Sequence, residues 1–234
     1  MVKEQHESPS ETYFKFTVYA LRYAYRIEGL KDKRIELPSI KKDKRLPVVL
    51  SREEVKRLLC TPKLLKHRVL IGLLYGCGLR CFEGRGIKLA DLDFDRKALL
   101  VHGKGNKDRY VPLSDMLIRG LKTYIDAERP EEWLFNGKPE GCAGGDFDGR
   151  YSQRGVQWAI RQAAKDAGIE KAVNVHTLRH TYATHLLEDG LNIMTIKDLL
   201  GHACVQTTMV YLHVAQSGRQ KPFSPLDSLY PSKQ

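Results

Sequence analysis

Between positions 176 and 185 the chain reads His-Thr-Leu-Arg-His-Thr-Tyr-Ala-Thr-His, three histidines and an arginine within ten residues. His176 and Arg179 are three apart, so a helix would carry both on one face and leave Leu178, Tyr182 and Ala183 for the core. A helix that begins with such side chains is suited to an anion, because its unpaired N–H groups and its dipole act in the same sense. Downstream, Leu199-Leu200-Gly201-His202 is followed nine residues later by Tyr211. That spacing sets an imidazole and a phenol on neighbouring short elements. Each of these residues is ordinary alone: histidines near helix ends are commonly solvent-facing, and tyrosine rings commonly fill cores while the hydroxyl finds a partner. Two more basic positions stand out upstream, Arg80 in Gly78-Leu79-Arg80 with Glu83 just beyond, and Lys104 in Gly103-Lys104-Gly105-Asn106-Lys107.

The elements that must position these residues are legible in part. Phe14, Val18, Leu21 and Tyr25 line one face of a helix expected over residues 12 to 28. From Lys31 to Pro47 the pattern stops, prolines enter, and Lys41, Lys42, Lys44 and Arg45 crowd together, which reads as a basic interdomain linker or as a merely solvated tether. Ser51-Arg52-Glu53-Glu54 is a capping box that opens a new domain. The apolar run Val69 to Leu79 is expected to deliver Arg80 at the end of a core helix. Residues 98 to 102 and 109 to 113 are extended in character and flank residues 103 to 108, which predicts a β-hairpin with a basic, glycine-loosened tip. Helices are expected at about 114 to 127, 152 to 167, 177 to 188 and 193 to 200, with Gly168, Gly190 and Gly201 as stops. The segment 141 to 149 reads as a low-complexity loop. The fold class is mainly α with a small antiparallel β-sheet (α+β).

Composition narrows the partner. At 234 residues the chain can bury a real core, and 39 Lys and Arg against 28 Asp and Glu leave a net charge of +11. A folded basic surface of this kind suits a polyanion. No apolar run approaches the roughly 20 residues needed to span a bilayer, and the start of the chain lacks an apolar signal core. A cytoplasmic location without membrane contact is therefore expected. The five cysteines (Cys60, Cys77, Cys81, Cys142 and Cys204) include no Cys-x-x-Cys pair. Cys77 and Cys81 read as core thiols, and neither disulfides nor zinc are expected.

Taken together and in order, the candidate residues resemble those of the tyrosine recombinases, the phage-integrase family. Gly78-Leu79-Arg80 with Glu83 is similar to the family's first arginine motif, Lys104 to its hairpin lysine, His176-x-x-Arg179-His180 to its His-x-x-Arg box, His202 to its second histidine and Tyr211 to its nucleophile. The resemblance runs from about Pro47 to Val214. It implies a catalytic domain over 47–214, preceded by a remnant of a core-binding domain and linker in 1–46. A tail over 215–234 would exchange between protomers. The implied activity is site-specific breakage and rejoining of duplex DNA through a 3′-phosphotyrosine, as on a mobile genetic element, by a homo-tetramer on DNA that is weakly associated or monomeric without it. Arg80 and Arg179 would clamp the phosphate oxygens, since a planar guanidinium donates two parallel hydrogen bonds. His176 would accept or position the phenolic proton, His202 would hydrogen-bond the phosphate, and Lys104 would protonate the departing 5′ oxygen. Glu83 and His180 would support them, and Lys41, Lys42, Lys44, Arg45 and Lys107 would contact DNA. No cofactor is implied, and no Walker loop, acidic metal cluster or dinucleotide motif stands in the sequence.

Two features depart from that pattern. Gly84 and Gly86 follow Glu83 where a continuing helix is usual, and glycine inside a helix costs roughly 1 kcal/mol relative to alanine. The helix is expected to stop early and to hold Arg80 less firmly. The residues before Pro47 are also fewer than a whole core-binding domain, which would weaken the grip on DNA more than the chemistry. A DNA-binding relic without turnover and a strand-relaxing topoisomerase of type IB are the competing readings.

Overall fold

The computed structural model describes residues 11–30, 46–103, 107–137 and 148–215. Lys41, Lys42, Lys44, Arg45 and Lys104, Cys142, most of the 141–149 loop and the tail beyond Ala215 lie outside the described residues. The chain divides into two units, Met1–Arg45 and Leu46–Gln234. In the first, α1 (Glu11–Ile27) is amphipathic. Val18 is buried and Phe14 and Tyr25 are half-buried, whereas Leu21, the fourth residue of the expected stripe, is exposed.

The second unit begins with α2 (Arg52–Cys60), closed by the expected capping box: the Ser51 hydroxyl accepts from the Glu54 N–H, and the Glu54 carboxylate accepts from the Ser51 N–H at 2.6 Å. Two unpaired donors at the helix start are thereby satisfied. Next comes α3 (Leu65–Gly76), in which every residue from Val69 to Leu74 is buried. A helix apolar on all sides must be surrounded, and α3 packs against α2, α5, α6 and α7. The remaining elements are α4 (Cys81–Arg85), β1 (Leu92–Asp93), β2 (Ala98–Val101), β3 (Arg109–Pro112), α5 (Asp115–Glu128), α6 (Gln153–Asp166), α7 (Val175–Glu188), α8 (Ile193–Leu200) and α9 (Gln206–Met209), which runs into a 3₁₀ turn at Val210–His213.

β2 and β3 form the expected antiparallel hairpin, with Leu99 opposite Val111 and Val101 opposite Arg109. Alternation places Leu99, Val101 and Val111 in the core. β1 pairs with β2 on the other side, and at two residues it is too short to leave a periodic trace in the sequence. Ser114, Ser152, Asn174 and Asn192 cap α5, α6, α7 and α8 with side-chain oxygens. Asn174 starts α7 at Val175, two residues ahead of the expected 177. Gly168, Gly190 and Gly201 all adopt positive φ at the ends of α6, α7 and α8, the left-handed termination that glycine makes without strain. Tyr182, Ala183, Ile196, Leu200 and Tyr211 form a second, smaller core beside the main one.

Candidate active site

Arg80 does not end the core helix. α3 stops at Gly76, and Gly78 turns the chain with φ +59°, where a Cβ would lie 2.4 Å from the Tyr182 ring. The turn makes Arg80 the N-cap of α4. Glu83, one turn on, accepts from both the Arg80 backbone N–H and its Nη1, each at 2.8 Å. α4 does end early, at Arg85, but the expectation that Arg80 is thereby loosened is corrected by these two bonds. Gly84 has a packing reason rather than a loosening effect: it is buried against α3, and a Cβ there would lie 2.8 Å from a methyl of fully buried Leu74.

The same carboxylate holds a second guanidinium. Arg109, the first residue of β3, donates from Nη1 and Nη2 to the two Glu83 oxygens at 3.0 and 2.9 Å, and its Nε donates to the Leu199 carbonyl at 2.7 Å. In the sequence Arg109 reads only as a strand residue at the foot of a hairpin. Its fork joins β3 to α4 and α8, and it lies beneath Gly201, where a Cβ would approach Nη1 to 3.1 Å. Arg179, on α7, is buried with its Nη1 donating to the Gly78 carbonyl at 2.6 Å and Nη2 donating to the Leu200 carbonyl. Its Nη1 is 3.8 Å from Glu83. Arg80 reaches toward the same turn, with Nη2 3.4 Å from the Gly201 carbonyl. Burial alone would raise the Glu83 pKa, but the hydrogen bonds from Arg109 and Arg80 and the Arg109 charge bring it down to about 2. Burial, reinforced by Arg80, lowers Arg179 to about 10, still charged at neutral pH.

Tyr211 lies in the 3₁₀ turn after α9, its ring buried in the smaller core. Its hydroxyl oxygen is 3.0 Å from Nδ1 of His180. The imidazole in reach of the phenol is therefore His180. His176 is exposed one turn earlier on α7, its ring 6.5 Å from that of His180, centroid to centroid. Burial, with the charges of His176 and Arg179, lowers the His180 pKa, which favours the neutral ring able to accept a proton. Burial raises the Tyr211 pKa while Arg179 and Arg80 pull it down. The phenol thus lies within the field of both guanidinium groups. His202, after the Gly201 stop, has Nδ1 2.8 Å from the buried Thr208 hydroxyl. Burial and the charges of Arg179, Arg80 and Arg109 lower its pKa to about 4, so it is neutral at pH 7. Lys107 is exposed at the hairpin. Among the described residues no group of three or more His, Cys, Asp or Glu side chains could hold a metal, and no helix is long and apolar enough to cross a membrane.

The structure thus brings together Arg80, Glu83, Arg179, His180, His202 and Tyr211, with Arg109 added, and sets His176 at the rim. Cationic groups fixed around a phenol are an arrangement for an anionic centre under attack by oxygen.

Comparison with known proteins identifies the family. The sequence matches the phage integrase family over residues 48–217. Tyrosine recombinase XerD of Staphylococcus saprophyticus is 38% identical, with 89% of this chain and 71% of the relative covered. XerD of Staphylococcus aureus is 37% identical over the same shares. The crystal structure of XerA recombinase superposes with a TM-score of 0.64 at 26% identity, covering all of this chain and 80% of that one. XerH recombinase bound to its difH substrate before cleavage shares the fold at TM-score 0.69 and 23% identity, over 87% of this chain and 62% of that one. With its residues from Val48 to the turn of Tyr211 matched and its cationic recess assembled around that phenol, this chain belongs to the phage integrase family, the tyrosine recombinases.

Proposed function

We propose that this protein breaks and rejoins duplex DNA at specific sites, with Tyr211 as the nucleophile. The observation that carries the assignment of the nucleophile is the buried Tyr211 hydroxyl, 3.0 Å from His180 Nδ1 and within the field of Arg80 and Arg179. A phenol with a pKa near 10 is only about one part in a thousand phenolate at neutral pH, so it needs a proton acceptor, and a neutral His180 has the atom in reach. In the cleavage step the Tyr211 oxygen forms a bond to phosphorus, the phenolic proton passes to His180 Nδ1, and the bond from phosphorus to the 5′ oxygen breaks. Arg80 and Arg179 offset the charge on the non-bridging oxygens. His202, neutral, with Nδ1 accepting from Thr208, presents Nε2–H to the phosphate. Lys104 gives a proton to the leaving oxygen. The 3′-phosphotyrosine retains the energy of the broken ester, so attack by a 5′ hydroxyl reverses the step without ATP.

Duplex DNA is the partner, bound over the catalytic domain at 47–214, and recombination proceeds in a homo-tetramer held in part by the tail at 215–234. Residues 1–46 belong to a core-binding region and its linker, and the protein works in the cytoplasm at the nucleoid. A duplex nicked beside the cleavage site loses its short leaving strand and traps the covalent complex. The wild-type protein is expected to form that adduct and Tyr211→Phe to form none. An adduct of equal yield in Tyr211→Phe would remove Tyr211 as nucleophile.

A further inference from the structure

His102 ends the β2 side of the hairpin, immediately before the tip. Its Nδ1 lies 2.9 Å from an Asp108 oxygen on the β3 side, and its Nε2 lies 3.1 Å from an Asp91 oxygen in the 3₁₀ turn at Leu89–Asp91. Asp91 is itself fixed, because its other oxygen accepts the Lys88 N–H at 2.8 Å. The neck is closed at the backbone as well: a Cβ on Gly103 would fall 2.2 Å from the Lys107 carbonyl oxygen. Ionised carboxylates only accept hydrogen bonds, and a neutral imidazole donates only one. Both contacts are satisfied together only by the imidazolium. The nearby recess is also lined by Glu83, Lys88 and Arg150, but each has a partner: Glu83 the two arginines, Lys88 Glu132, and Arg150 Asp148. Asp91 and Asp108 are the carboxylates that face the ring.

We infer that His102, clasped between Asp91 and Asp108, is a positioning residue that fixes the neck of the β2–β3 hairpin and so aims the proton-donating Lys104. The inference rests on the proposed role of Lys104, which follows His102 by two residues, a tether of at most about 7 Å. The hydrogen bonds to Asp108 and Asp91 raise the His102 pKa. The sign follows: the clasp is complete below that raised value and loosens as pH climbs through it, when the ring keeps one donor and turns a lone pair toward the other carboxylate.

The readout must isolate proton donation to the leaving group. Replacing the bridging 5′ oxygen by sulfur makes a leaving group that departs as a thiolate and needs no proton, thiols being far more acidic than alcohols. Trapped-adduct rates on nicked duplexes with sulfur and with oxygen share DNA binding, phenol deprotonation and the arginine clamp, so their ratio reports proton donation. For the wild-type protein the sulfur-to-oxygen ratio is expected to rise with pH. In His102→Phe it should be raised by on the order of ten- to a hundredfold at the lowest pH, part of the 10²–10⁴ that general acid catalysis supplies, and it should be flat with pH. Asp108→Ala, at an exposed position, removes one arm of the clasp, should shift the ratio in the same direction and decides the matter if His102→Phe does not fold. Ratios equal to wild type at every pH in a folded variant overturn the clasp. Lys104→Met separates the two readings: a ratio raised at every pH keeps Lys104 as the proton donor, and a ratio equal to wild type removes that reading and not the clasp alone.

Discussion

Glu83 is a single buried carboxylate bonded to two guanidinium groups with a third 3.8 Å away, and the fate of the recess depends on it. Three guanidinium charges against one carboxylate leave the pocket positive, which suits a phosphodiester, but without Glu83 the arginines would repel one another in a poorly solvated space. Removing one partner of a buried ion pair typically costs about 3–5 kcal/mol. Glu83→Gln is therefore expected to lose that much stability at pH 7, measured as a lower urea midpoint, and to form adduct more slowly because Arg80 is no longer aimed. The folded pKa of Glu83 is about 2, below its ordinary value of 4.5. Its stabilisation is thus complete above the ordinary value and is lost as pH falls from there through about 2, and the gap between variant and parent should narrow over that window. A variant as stable as its parent at pH 7 would mean that the arginines do not need this counterion. Residue chemistry also explains what sequence could not resolve here. Arg109 and Glu83 are 26 positions apart, and no local pattern links the foot of a strand to the first turn of a helix. His176 and His180 share one helical stretch, and which of them meets the phenol depends on how α7 is rotated against the turn of Tyr211.

At the level of elements, the ends of helices were the most legible part, because the signals are local. Ser51 with Glu54, and the glycines at 168, 190 and 201, satisfy backbone groups within a turn of themselves, so the residue type is sufficient. Gly84 misleads for the opposite reason. Local propensity marks it as a weak helix residue, whereas its value lies in tertiary contact: α4 approaches α3 so closely that a methyl on residue 84 would meet Leu74 at 2.8 Å. Propensity alone would make Gly84→Val stabilising. Packing reverses the sign, since overfilling a dense core costs about 1–3 kcal/mol against roughly 1 kcal/mol or less recovered from the helix. Gly84→Val is expected to lower the thermal midpoint and, by displacing α4, to slow adduct formation. A midpoint raised above the parent's would restore the propensity argument.

On the scale of the whole molecule the net charge of +11 becomes a statement about where DNA lies only if part of it is arrayed beside the site. Between α6 and the segment leading into α7 is a cleft of about 690 Å³ whose lining includes Gln153, Gln157, Arg161, Lys165, Lys171 and His176. It adjoins the recess through His176, one turn from His180. Lys171 already pairs with Glu54 at 2.7 Å, so Arg161 and Lys165 are the residues expected to meet phosphates as the duplex runs away from the scissile bond. Each phosphate neutralised releases condensed counterions, and log affinity falls against log salt with a slope of about −0.9 per contact. Arg161→Ala should weaken binding to specific and random duplexes alike and make the slope shallower by about 0.9, as read from fluorescence anisotropy over roughly 50–200 mM salt. Arg80 and Arg179, the residues proposed to hold the reacting phosphate, are untouched by this change, so adduct formation at saturating protein should stay at the parental rate. A slope identical to the parent's would take the DNA off this cleft and onto another face, leaving His176 as a rim residue with no phosphate to meet.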